Sequence, residues 1–171
     1  LDDRACVAII VKVMERLAKE TLDLDVYCLI STQEELGRRG ATTGTYSIDP
    51  DYAIAIDVTH AATPDSKKGE TLDMRKGAAI GVGPNMNRNI TNALFAVAKD
   101  KNIPCQTEVM AGNSGTNGWA IQVSREGVST AVVSLPIKYM HTPVETMDMV
   151  DAVSIVDLVS EFALTLGKEA L

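Results

Sequence analysis

Residues 52–58 read YAIAIDV, an apolar run that closes on an aspartate just before its last residue. It follows Asp49-Pro50-Asp51, which is turn chemistry, and its small and branched residues predict a buried strand. Working outward, LDVYCLIS at 24–31, AAIGVG at 78–83, residues 104–109 and VSTAVVSL at 128–135 have the same character and are also expected to be strands. Helical patterns separate them. They cover 5–19 (CVAIIVKVMERLAKE), the stretch after 32–41 through Tyr46, 89–101 with Asn89 as N-cap, about 119–125, and 148–167 with Gly167 where a C-cap would sit. The last helix is expected to bury Val153, Val156, Val159, Phe162, Ala163 and Leu166, and residues 59–76 and 138–147 read as loops. Helices alternating with apolar strands predict one α/β domain over 1–171, a three-layer α/β/α sandwich on a mostly parallel mixed sheet.

The bulk properties narrow the function. A net charge of -7 and a pI near 4.8 argue against nucleic acid and anionic membrane as partners. No apolar stretch reaches transmembrane length, and a cytoplasmic location is expected. Cys6, Cys28 and Cys105 are odd in number and lack metal-type spacing, so buried reduced thiols are expected. The chain opens on Leu1 and runs at once into Asp2-Asp3-Arg4, which reads as the later piece of a longer catalytic domain.

Ligands of open α/β sheets bind beyond the carboxyl ends of the strands. Asp57 lies at the end of one strand, Glu34 and Glu35 follow another, His141 follows the strand at 128–135, and Asp2 and Asp3 precede the first helix. Singly these are ordinary residues: a surface pair, a turn aspartate, a loop histidine. Gathered at one sheet edge, the carboxylates would repel one another, and a divalent cation resolves that conflict. Carboxylates with an imidazole suit a borderline ion such as zinc, cobalt or manganese.

LDDR at 1–4, TQEELGRRGA at 32–41, AIDVTH at 55–60, and SREGV, SLP and YMHTPVE between 124 and 145 together resemble the tetrahedral, or deblocking, aminopeptidases, relatives of glutamyl aminopeptidase with a zinc-exopeptidase-like fold. The resemblance implies a metal-dependent aminopeptidase using two divalent cations, zinc or cobalt. Asp2 corresponds to the carboxylate bridging both ions, joined by a cis peptide bond to Asp3, which is expected to be catalytic with Glu34. Glu34 corresponds to the general base, Glu35 and His141 to ligands of one ion, and Asp57 to a ligand of the other. It further implies a peptide substrate and a homo-oligomeric full-length protein.

Two departures stand out. The family's further metal-binding histidine and its inserted dimerisation domain lie upstream of the bridging aspartate, so this piece alone is expected to be weakly active or inactive. His60 is a poor substitute. The family usually shows Asp where Asn117 stands. Asn117, Thr116 and Ile137, with Met110 and Ser114, are the expected substrate-pocket residues, on the weaker ground of their place near strand ends. An endoglucanase-like hydrolase and a decayed assembly subunit are the competing readings. Glu34 and Glu35 are adjacent and start in divergent directions, which does not favour a two-carboxylate sugar mechanism.

Overall fold

Alternation decides the central strands. In β1 (Tyr52–His60) the side chains of Ile54, Ile56 and Val58 face one way and those of Ala53, Ala55 and Asp57 the other. β2 (Ala78–Val82), β3 (Cys105–Val109), β4 (Ser129–Lys138) and the short β5 (Thr146–Met147) complete the sheet. This computed structural model describes residues 1–67 and 69–166. The strand order is β1-β4-β2-β3, with β5 added to β4. β1 pairs with β4 in parallel, with Asp57 opposite Ser134, and β2 pairs with β3 in parallel. β4 meets β2 and β5 antiparallel, so the sheet is mixed, with parallel pairs at each side of an antiparallel seam.

Helices cover both faces. α1 (Arg4–Leu17) buries Ala5, Ile9, Val13 and Leu17, one residue per turn, together with Cys6. It joins α3 (Arg88–Asp100) and α5 (Met149–Leu166) over the larger core, where Ile80, Leu135, Ile137, Ile155 and Leu158 are fully buried. Each such side chain contributes roughly 1.5–3 kcal/mol. α2 (Arg39–Ile48) and the single turn α4 (Gly118–Ile121) cover the other face around Ala41, Ala55, Ile121 and Val132. The three-layer sandwich expected from sequence is therefore present.

Several local expectations are corrected. Residues 24–31 carry no regular secondary structure and belong to no ladder among the described residues. They form the far wall of a cavity of about 1100 Å³ whose near wall is β1 at Tyr52–Ile56, with α1 as its floor. A strand needs a hydrogen-bonded neighbour at strand spacing, and none stands beside them among the described residues. Tyr27 and Ile30 are accordingly exposed. β1 is an edge strand among the described residues, and it runs on to His60 where a loop was expected.

The N-cap of α3 is Asn87, whose side chain accepts from the N–H groups of Asn89 and Ile90; Asn89 lies inside the helix. α4 is one turn rather than a helix through Arg125. Arg125 instead stacks on the Tyr46 ring, 4.2 Å from its centroid, and donates to the Tyr46 carbonyl. In α5 the buried face runs through Ala152, Ile155, Leu158, Val159 and Phe162, which leaves Val153 half exposed. Gly167 lies outside the described residues. Cys6 is buried, Cys28 is exposed, Cys105 is half-buried, and all three are free.

Candidate functional site

The β1–β4 pair places Asp57 on the face opposite the larger core, where only 7% of it is exposed. Asp2 and Asp3 sit at the entry to α1, and the peptide bond between them is cis. Glu34 and Glu35 follow the segment that ends at Ser31 and line the same cavity as Asp2 and Asp3. His141 lies in the loop after β4 with a left-handed φ of 62°.

These elements bring the expected donors together in two sets. Ligand atoms of Asp2, Glu35 and His141 lie within 4.8 Å of one another, and so do those of Asp2, Asp3 and Asp57. Asp2 belongs to both. In the first set, His141 Nε2 stands 3.0 Å from Asp2 Oδ2 and 3.7 Å from Glu35 Oε1. In the second, Asp3 contributes its own carboxylate, where sequence reasoning expected only Asp2 and Asp57. The Asp2-Asp3 doublet was the available signal, since two adjacent carboxylates at a helix entry can both turn toward one point. His60 lies outside both sets.

The electrostatics carry the strain of this crowding. Burial pushes the Asp57 carboxyl up to about 8, with repulsion from Asp3 adding to it and the Val58 N–H, bonded at 2.8 Å, opposing it. Burial likewise raises Asp3 to about 7, against a hydrogen bond from Cys6. Glu34 is raised by burial, with Arg38 pulling the other way. Arg38 Nε lies 3.3 Å from Glu34 Oε1, near enough for ion pairing but not aligned for a hydrogen bond, and both atoms are buried without another partner. Asp3 Oδ1 is also buried and unpartnered. Orphaned carboxylate oxygens among mutually repelling acids are what a divalent cation would satisfy. The donor chemistry fits a borderline ion: oxygen plus one imidazole in the first set, oxygen alone in the second.

The expected substrate residues divide. Asn117 lines the cavity with Asp2 and Glu34; its amide group donates to Ser31 Oγ at 3.1 Å and its Oδ1 is buried without a partner. Thr116 is buried, and its hydroxyl bonds to Ser114 and accepts the Gly118 N–H, so its role is to close the turn before α4. Ile137 is fully buried in the larger core and offers no surface to a substrate. Met110 is buried in the smaller core. Proximity to strand ends does not tell a lining side chain from a core one.

Residues 1–158 match the M42 glutamyl aminopeptidase family. The lysyl aminopeptidase of Pyrococcus furiosus is 40% identical over 151 residues, covering 88% of this chain and 43% of that protein. Among solved structures, the aminopeptidase of the archaeon Desulfurococcus kamchatkensis shares the fold with a TM-score of 0.88 and 35% identity, over 96% of this chain and 47% of that one. The TET1 peptidase of Pyrococcus horikoshii, which assembles into a tetrahedron or a large octahedral shell, matches with a TM-score of 0.79 and 28% identity, over 96% of this chain and 48% of that one. The chain thus spans somewhat under half the length of these relatives. Both the length of the match and the level of identity lead to one conclusion: this chain belongs to the M42 glutamyl aminopeptidase family.

Proposed function

We propose that this chain carries the cation-binding and base-bearing part of a metal-dependent aminopeptidase that removes N-terminal residues from peptides. One arrangement supports the reading above all: two donor sets that share Asp2 as their common carboxylate. Bound there, zinc or cobalt would lower the pKa of a water molecule and polarise the scissile carbonyl. Asp2, Glu35 and His141 would hold one ion, and Asp2, Asp3 and Asp57 the other.

The chain's own residues do the rest. Glu34 lines the cavity with Asp2, and its Oε1 is free of hydrogen bonds. It takes a proton from the attacking water and passes it to the leaving amine. Its raised pKa moves it toward the range a general base needs, while Arg38 limits the rise. Asn117 offers an unpartnered carboxamide oxygen to the N-terminal part of a peptide. The protein forms a homo-oligomer, a reading supported by the assembly of the Pyrococcus horikoshii relative, and works in the cytoplasm. The imidazole-bearing set binds its ion more tightly than the all-oxygen set.

The test combines calorimetry with hydrolysis of aminoacyl chromogenic substrates, with cellulose as a control. Two equivalents of Co²⁺ are expected, the second weaker, with no release of sugar. Glu34→Gln should leave both equivalents in place and abolish any peptide hydrolysis. Hydrolysis undiminished in Glu34→Gln would rule out the base.

A further inference from the structure

Glu145 stands four residues beyond His141 and divides its two carboxylate oxygens between the two chain segments that carry metal donors. Oε2 accepts the backbone N–H of Asp2, 143 residues away, at 3.0 Å, and it also takes the Leu1 amino group. Oε1 accepts the backbone N–H of His141 at 2.9 Å. The side chain is only 9% exposed; its two contacts at Oε2 are partly buried, and the one to His141 faces solvent.

The loop needs such a tether. Tyr139 and His141 both have left-handed backbones, with φ of 59° and 62°, a region that non-glycine residues seldom adopt without support. The His141 side chain is 64% exposed, so packing does little to fix it. Thr142 bonds back to the Tyr139 carbonyl, which closes the turn locally but does not relate it to α1. Among the described residues, Glu145 is the side chain that bonds to the backbone of both the Asp2 and the His141 segments.

We infer that Glu145 is a positioning residue that sets the approach of the His141 imidazole to the Asp2 carboxylate and so prepares the Asp2–Glu35–His141 set for its cation. It touches neither the substrate nor the ion. The inference rests on the metal-binding reading above. Supporting groups behind metal ligands typically change affinity by about 10–100-fold when removed.

The experiment titrates the 171-residue chain with Co²⁺, following heat and visible absorption, for wild type, Glu145→Ala, Glu145→Gln, Glu145→Asp and His141→Ala. Glu145→Ala should weaken the first equivalent about 10–100-fold and change the absorption bands that report coordination geometry. Glu145→Asp keeps the charge but is too short to reach both N–H groups; it should lose at least about tenfold, which separates positioning from simple attraction of the cation. Should Glu145→Ala fail to fold, Glu145→Gln and Glu145→Asp with wild-type melting temperatures carry the test alone. Wild-type affinity and spectrum in the folded variants, alongside weakened binding in His141→Ala, would overturn the clamp while leaving the metal reading intact. A wild-type chain that takes up no Co²⁺, or a His141→Ala chain that binds like wild type, would overturn both.

Discussion

The two donor sets share a residue yet sit in opposite environments. Glu35 and His141 have side chains 61% and 64% exposed, whereas Asp57 is only 7% exposed and Asp3 is half-buried. On the outer side, the Glu35 and His141 side chains stand largely in water. On the inner side, burial and mutual repulsion hold Asp3 and Asp57 in their protonated forms well above the usual carboxylate range. Filling the inner set therefore means displacing protons as well as water. In the proposed reading, one aspartate thus links an open set of donors to a buried one.

The sharpest way to break this comparison is at the shared residue. Asp2→Asn should weaken both Co²⁺ equivalents by on the order of 100-fold or more, read by calorimetry; loss of only one would show that Asp2 does not serve both sets. Next come the private donors. His141→Ala should remove the tighter equivalent and spare the weaker, and Asp57→Asn the reverse, each by more than the roughly 10–100-fold that loss of a supporting group costs. Equal losses of both ions in either variant would mean that the sets are not separable.

A smaller effect appears in the metal-free chain as a function of pH. The folded values of Asp3 and Asp57, about 7 and about 8, lie above the ordinary 3.8, so the native chain holds these protons more tightly than the unfolded chain. Their contribution to stability is complete below pH 3.8 and disappears as pH rises through 7 and 8. The melting temperature of the metal-free chain should fall between pH 5 and pH 8.5, and Asp57→Asn should flatten that fall. A melting curve that does not depend on pH over this range would refute the burial argument. The smallest effect is expected far from the site. The Arg16–Asp157 pair, 2.5 Å long but substantially exposed, should cost less than about 1 kcal/mol in Arg16→Ala and leave the Co²⁺ titration unmoved.

Much of the fold was legible because it rests on local alternation. YAIAIDV places Asp57 opposite to Ile54, Ile56 and Val58 whatever surrounds it, and the β1–β4 register then fixes where that carboxylate points. The convergence of the candidate donors was legible through the motifs, although Glu34 and Glu35 follow a segment that pairs with no strand and His141 sits in a loop. What could not be read depended on partners distant in sequence. LDVYCLIS has the composition of a strand, but whether it pairs depends on what lies beside it. Val153 fits a helical stripe as well as Ile155 does; the placement of α5 against α1 and α3 chose the phase. Ile137 and Thr116 lie near strand ends as Asn117 does, and only the packing tells them apart. Glu145 was in plain view within YMHTPVE, yet a glutamate four residues after a histidine does not reveal that its other oxygen reaches the start of the chain.

The open space between β1 and residues 24–31 has a bearing on how the molecule tolerates its own acids. It extends from the apolar wall of β1 to the carboxylates of Asp2, Asp3, Glu34 and Glu35. Solvent that enters this space raises the local permittivity around the charges it touches. Water in this space therefore weakens the repulsion among the acids before any cation arrives. Any polypeptide or ligand that later occupied it would dry the acids, sharpen their repulsion, and so strengthen their demand for a positive ion.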